Sequence, residues 1–309
     1  MATPLKILVT GGAGFIGSHV VDTYITAGHD VVVVDNLSTG RRANLNPAAT
    51  FYEVDIRDAD LADVFAQEQP EVVNHHAAQA SVPLSVSRPT FDAEVNILGS
   101  LNLLEQARHH GVQRLIYAST GGAVYGEPQY LPCDESHPIR PLSPYGASKH
   151  TVEHYLQLYH QLYGLGYTVL RYANVYGPRQ DPHGEAGVVS IFTNQMLAGE
   201  PAIVHGDGLQ ERDFIYAGDC ARANLAALEQ DRDGIFNIGT GAGTTINDLF
   251  DRLAAITGYP HPRRHGPPRL GDVYRSYLSA ALAARELGWQ PVFALEDGLR
   301  ETVAYFQQS

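Results

Sequence analysis

Thr10-Gly11-Gly12-Ala13-Gly14-Phe15-Ile16-Gly17-Ser18-His19 follows directly on the apolar run Leu5–Val9. From Gly12 the spacing is G-x-G-x-x-G; from Gly11 it is G-x-x-G-x-x-G. Glycines so placed allow a tight strand-to-helix turn and let a pyrophosphate approach the N-terminus of the following helix. Glycine-rich turns have many causes, but this one has the context that gives the pattern meaning. A strand precedes it, the helical pattern Phe15–Ala27 follows, and a second strand, Val31–Asp35, closes on an acidic residue. A carboxylate there accepts hydrogen bonds from adenosine ribose hydroxyls and repels a 2′-phosphate, which favours NAD over NADP. Arg41 and Arg42 are the one nearby feature that favours NADP.

Outward from the loop, short β-branched runs keep alternating with longer helical patterns. Further strands are expected at Phe51–Val54, Val72–Asn74, Arg114–Ser119 and Tyr167–Tyr172, and further helices at Asp60–Gln67, Thr90–His110 and Tyr145–Leu162. Near-continuous apolar strands alternating with helices predict an α/β fold, a doubly wound parallel sheet of Rossmann type covered on both faces. From about Ala173 glycine, proline and histidine become frequent, and helices at Val188–Ala198, Ile246–Thr257 and Leu295–Phe306 are separated by irregular stretches. The pattern predicts a dinucleotide-binding domain over 1–172 and a smaller α/β substrate lobe over 173–309. The helical run Asp219–Leu228 and the strand-like Ile235–Ile238 suggest that 219–240 returns to the main sheet.

The bulk properties set limits. The 309 residues are 44% apolar and 18% charged, an ordinary globular balance with room for two lobes. A net charge of −13 argues against nucleic acid or an anionic membrane surface as partner. Two cysteines without metal-like spacing, and no 18-residue apolar span or leader-like start, predict a reduced, cytoplasmic setting. Adjacent histidines at His75-His76 and His109-His110 point different ways on a strand or helix, so no metal is expected from them.

The candidate catalytic residues are Thr120, Tyr145 and Lys149, although a tyrosine and a lysine four residues apart, taken alone, fit an ordinary surface helix equally well. Ser143 suits a helix N-cap and Pro144 the first helical position. Tyr145 then lies in the first turn, with Lys149 one turn further on the same face. A phenol is a useful base near neutral pH only if its pKa of about 10 is pulled down. The lysine and the positive end of the helix dipole are both expected to pull it down.

Together, Thr10–Gly17, Asp35-Asn36, Asp55-Ile56-Arg57, His75-His76-Ala77-Ala78, Thr120, Tyr145-x-x-x-Lys149 and Arg171-Tyr172-x-Asn174 resemble the extended short-chain dehydrogenase/reductases. Within these the chain looks most like the UDP-glucose (UDP-galactose) 4-epimerases, over nearly its whole length to about Tyr277. The resemblance implies an NAD-dependent isomerase of galactose metabolism, active as a homodimer on a UDP-sugar. It implies that Gly11, Gly14, Phe15, Ile16 and Gly17 cradle NAD. Asp35, Asn36, Ser38 and Gly40 would line the adenosine ribose and phosphate, and Asp55 and Ile56 would flank the adenine. Ala77 and Ala78 would wall the pyrophosphate, Asn96 would support the cofactor side, and Tyr172 would lie by the nicotinamide. Tyr145 would act as base on the sugar 4-hydroxyl, Thr120 would orient the proton, and Lys149 would bond the nicotinamide ribose.

On the substrate side the resemblance implies that Asn174 contacts the sugar diphosphate and that Arg212 and Arg269 grip its phosphates. Guanidinium forks suit that task. Asp272 would bond the uridine ribose, and Val188, Val204 and His205 would frame the uracil. His205 reads equally well as a hydrogen-bonded loop residue. Ser276, where a bulkier residue would crowd the sugar C2 substituent, suggests that UDP-GlcNAc and UDP-GalNAc also fit; Tyr274 and Tyr277 lie close enough to exchange places with it in an alignment. Two other readings share fold and cofactor. UDP-glucuronate 4-epimerase differs only in the sugar. An NDP-sugar 4,6-dehydratase needs an acidic pair after the threonine, where this chain has Gly121-Gly122.

Overall fold

Alternate residues of the first two strands go to opposite cores: Ile7, Val9, Val31 and Val33 to one, Leu8, Val32 and Val34 to the other. That period of two, with both faces apolar, is what a sheet covered by helices on each side requires. In the computed structural model, which describes residues 3–182, 187–268 and 273–308, seven strands form one parallel sheet. They are β1 (Lys6–Thr10), β2 (Asp30–Val34), β3 (Thr50–Tyr52), β4 (Val72–His75), β5 (Arg114–Thr120), β6 (Gly166–Tyr172) and β7 (Gly234–Ile238). Their order is β3-β2-β1-β4-β5-β6-β7. The chain winds in opposite directions from β1 and β4, so a crevice opens at their carboxyl ends, where Thr10 is registered beside His75.

Helix Phe15–Thr26 packs with Ala217–Gln230 over one face, burying Val20, Tyr24, Ala223 and Ala227. On the other face Pro144–Tyr163 buries Val152 and Leu156 beside Leu103 and Val169. Each of these valines and leucines contributes about 1.5–3 kcal/mol when fully buried.

The expected helix Thr90–His110 is three pieces: Pro89–Ala93, a π-helical turn over Glu94–Leu98, and Gly99–His109. The wider turn carries Asn96 into the interior, where it is buried and hydrogen-bonded. Short helices at Val82–Ser87, Gly121–Val124 and Ala281–Glu286 are too brief to leave a period in the sequence.

Beyond β6 a third core gathers helices Val188–Leu197, Ile246–Thr257 and Leu295–Gln308 around Phe192, Val204, Leu249 and Val303. Small sheets bind this region together. Asn174–Tyr176 pairs with Phe214–Tyr216, and Glu211–Arg212 lies between Thr244–Thr245 and Arg275–Ser276. Two buried aspartates act as hubs. Asp213 accepts from the backbone N–H of Thr240, Gly241 and Leu278, and Asp219 from those of Val292 and Phe293. Both cysteines are buried free thiols, and among the described residues no helix is long and apolar enough to cross a membrane.

Candidate active site

At the end of β1, Gly11 takes φ +70°, and a Cβ on it would sit 2.6 Å from the Ala77 amide nitrogen. A Cβ on Gly17 would sit 2.2 Å from the Gly11 carbonyl oxygen. Gly14 is the N-cap of helix Phe15–Thr26 and brings no side chain to cap it, which leaves the first-turn amides for an external acceptor. This cradle, which a Cβ would fill, fits a dinucleotide pyrophosphate. Gly17→Ala should therefore weaken NAD binding about tenfold or more, roughly 1.4 kcal/mol. Titration calorimetry with NAD on the wild type and the variant checks it.

Asp35 is buried at the end of β2, and burial pushes its carboxyl up against two backbone donors, Leu37 N–H at 2.8 Å and Ala13 N–H at 3.0 Å. A carboxylate has about four lone-pair sites, so ribose hydroxyls can still be accepted. A Cβ on Gly40 would lie 2.8 Å from this carboxylate. Asn36 donates to Asp55 at 2.7 Å and takes the Ser38 amide at 3.0 Å. Asp55 is held at about 2 by its Arg57 hydrogen bonds. Ile56 turns its side chain inward onto Gly99, so only its backbone can face an adenine. The two arginines that favoured NADP are engaged elsewhere, Arg41 by Asp181 at 3.1 Å and Arg42 by Glu53.

Ala77 donates to the Thr10 hydroxyl at 3.2 Å, which ties the wall at Ala77-Ala78 to the glycine loop. Asn96 reaches that wall indirectly. Its amide pairs with both backbone groups of Gln79, each at 2.9 Å, and donates to Asp92 at 3.0 Å. The Tyr172 hydroxyl accepts from Asn224 at 2.7 Å, so its ring alone is free to face a ligand; it stacks at 6.2 Å on His76.

A cleft of about 260 Å³ brings several of the expected site residues together. It is lined by Phe15 and Ile16 from the glycine loop, Thr120 and Tyr145, and Tyr172, Asn174 and Val188. Ser143 caps helix Pro144–Tyr163, which carries Tyr145 and Lys149, by accepting from Gly146 N–H at 3.2 Å. Lys149 is buried with its ammonium 4.3 Å from the centroid of the Tyr117 ring.

The protonation states depart from expectation. Burial pushes Tyr145 up to about 12, aided by the charge of Asp92, while a hydrogen bond from Thr120 pulls the other way. Burial also pulls Lys149 down to about 7, against the charges of Glu153 and Asp92. Desolvation disfavours both charged forms, so the lysine alone does not make a phenolate here.

One turn beyond Lys149, Glu153 joins helix to sheet. It accepts from Ser119 at 2.6 Å and from Arg171 at 3.0 and 2.5 Å, and Arg171 continues to the Tyr125 hydroxyl at 2.9 Å. The i+4 spacing from Lys149 was the sequence signal for this pair. Asp92, Asp213 and the Gln79 clamp left none.

On the substrate side Ser276 is registered beside Arg212, whose guanidinium donates to the Glu211 carbonyl at 2.9 Å. Two residues on, Leu278 packs on Gly121, where a Cβ would lie 2.4 Å from its Cδ1; this draws the Ser276 strand to the end of β5. Gly122 faces open space, its nearest neighbours being the Asn174 side-chain oxygen at 3.9 Å and the Thr120 hydroxyl at 4.0 Å from a built Cβ. Val204 is fully buried in the third core, so its side chain frames no ligand; the short strand Ile203–His205 turns it inward. The His205 ring is hydrogen-bonded to the Pro267 carbonyl at 3.1 Å. Tyr274 is exposed, its hydroxyl 3.3 Å from Asp207. Arg269 and Asp272 lie outside the described residues.

Known proteins match the chain closely. The model of the NAD dependent epimerase/dehydratase family matches residues 7–239. A UDP-glucose 4-epimerase from Mycolicibacterium smegmatis is 46% identical, over 98% of this chain and 99% of the relative. A UDP-glucose 4-epimerase from Thermotoga maritima, solved with UDP-glucose, superimposes with a TM-score of 0.97 at 54% identity, covering 98% of this chain and 99% of that one. The Thermus thermophilus UDP-glucose 4-epimerase, solved with NAD, gives 0.93 at 48% identity with the same coverage.

Proposed function

The chain belongs to the NAD-dependent epimerase/dehydratase family, and on that premise we infer that it is a UDP-glucose 4-epimerase. It is an isomerase that interconverts UDP-galactose and UDP-glucose by NAD-mediated oxidation and reduction at C4, through a 4-keto sugar. The observation that carries this reading is the shared cleft, in which Thr120 and Tyr145 stand with Phe15 and Ile16 of the dinucleotide loop.

In this reading Tyr145 takes the 4-hydroxyl proton and later returns it, with Thr120 holding the same hydroxyl in line. Lys149 shares the proton balance of Tyr145 and bonds the nicotinamide ribose. Tyr145 and Lys149 can rest as two neutral groups or as phenolate and ammonium, and burial favours the neutral pair. Bound NAD supplies the acceptor for the C4 hydrogen and its electron pair, and its positive ring favours the phenolate. The diphosphate is anchored by Arg212 and Arg269 while the sugar is held loosely, which lets the flat C4 centre present either face. Asn174, Val188 and His205 border this substrate side, and Asp272 takes the uridine ribose.

A 4,6-dehydratase is disfavoured because Gly121 has no room for a carboxylate against Leu278. The test is to supply UDP-galactose to the NAD-loaded protein without added reductant. UDP-glucose should accumulate to a fixed ratio; a protein that binds NAD but leaves UDP-hexoses untouched contradicts the reading.

Ser276, beside Arg212, extends the substrate range to UDP-GlcNAc and UDP-GalNAc. Ser276→Tyr should slow that interconversion about 10–200-fold while sparing UDP-galactose. Equal rates in coupled assays of the two proteins would remove the gate. The protein is read as a cytoplasmic homodimer. The support is a pair of buried free thiols and the exposed Leu158 and Leu162, which recur at four-residue spacing on the catalytic helix.

A further inference from the structure

His150 and His154 stand one turn apart on the helix that carries Tyr145 and Lys149, with His154 exposed. Their Nε2 atoms lie 3.1 Å apart. Two nitrogens each about 2.0–2.1 Å from a tetrahedral or octahedral ion lie roughly 2.9–3.4 Å from one another, so the rings need little movement to share one ion. Histidines at i and i+4 on one helix face are an established chelating arrangement.

The orientation of the inner ring points the same way. His150 Nδ1 lies 2.9 Å from the Glu153 carboxylate, which can only accept, so Nδ1 carries the hydrogen and Nε2 keeps its lone pair outward. A carboxylate behind the ring raises the basicity of the ligating nitrogen and fixes the ring. Glu153 is itself held by Ser119 and Arg171, so this support is rigid.

We propose that His150 and His154 form a two-histidine chelate for a divalent transition cation such as Zn²⁺. Imidazole pairs suit zinc, copper and nickel and not magnesium or calcium. Among the described residues no third histidine, cysteine or carboxylate joins them, so water or a second molecule completes the coordination. The site is separate from the sugar chemistry, for it uses the opposite end of Glu153 from Ser119. It grips the first turns of the catalytic helix.

The test is a titration of the tag-free, NAD-loaded full chain with Zn²⁺ against a chromogenic zinc indicator. Wild type should take up zinc saturably, to at most one ion per chain. His154→Ala should abolish that uptake. Because His154 shares a helix face with Leu158 and Leu162, the oligomeric state of the variant is measured beside it, and loss of uptake in a variant of unchanged oligomeric state and urea midpoint supports the chelate. His150→Ala should also abolish uptake, while His261→Ala, an exposed histidine elsewhere, should not. Absence of uptake by wild type, or equal uptake by His154→Ala, overturns the proposal.

Discussion

Tyr145→Phe should lower kcat for UDP-galactose about 10²–10⁴-fold and leave NAD affinity almost unchanged. The variant deletes one hydroxyl from a half-buried ring and keeps its packing. What is lost is the cleft hydroxyl that is hydrogen-bonded to Thr120 and that we propose carries the 4-hydroxyl proton. The pH profile gives a second readout of the same site. In wild type the phenolate form is opposed by burial and favoured by the Lys149 ammonium and by bound cofactor. Replacing Lys149 by alanine removes the ammonium, raises Tyr145 further and moves the acid limb of the profile to higher pH. An unmoved limb would mean that the lysine acts only by holding the ribose.

Glu153→Gln is expected to destabilise the fold by about 3–5 kcal/mol, the cost of leaving a buried charge unpaired. Arg171 is buried, and its guanidinium donates twice to this carboxylate, at 3.0 and 2.5 Å. The amide is neutral and can accept at only one end, so the guanidinium keeps its charge and loses its counterion. The pair also gives a pH signature. Burial pushes the Glu153 carboxyl up, but the Arg171, His150 and Ser119 hydrogen bonds outweigh it and hold the pKa at about 2. A depressed carboxyl contributes stability that is complete above its unfolded value of about 4.3 and is lost as the pH falls towards 2. Urea unfolding of wild type and variant at pH 7 and pH 3 checks both points; their midpoints should differ widely at pH 7 and by clearly less at pH 3. Equal midpoints at pH 7 would mean that Arg171 finds another partner.

The dinucleotide half was legible in the sequence because each of its signals is local. The glycine loop, Asp35 and the strand–helix alternation each occupy a few residues, and the sheet order follows from how such units wind. Ser143 and Pro144 placed helix Pro144–Tyr163 to within a residue. The second region was harder. Its strands Glu211–Arg212, Thr244–Thr245 and Arg275–Ser276 are two residues long, too short for any period, and they exist because three distant segments meet. Asn96 lies in a π-helical turn that helical spacing does not foresee. Tyr145 shows the other kind of failure. Its place in the cleft beside Thr120 follows the spacing, but burial depends on the whole fold, and burial pushes the phenol up, opposite to what a neighbouring lysine alone predicts.

C4 is oxidised and then reduced by the same enzyme-held acceptor, so the hydrogen that leaves C4 must come back to it. Converting UDP-galactose to UDP-glucose in D₂O, with the product followed by proton NMR, tests this directly. Product with protium retained at C4 is the expected result. Deuterium at C4 would contradict it, since that hydrogen would then have exchanged with solvent as a proton.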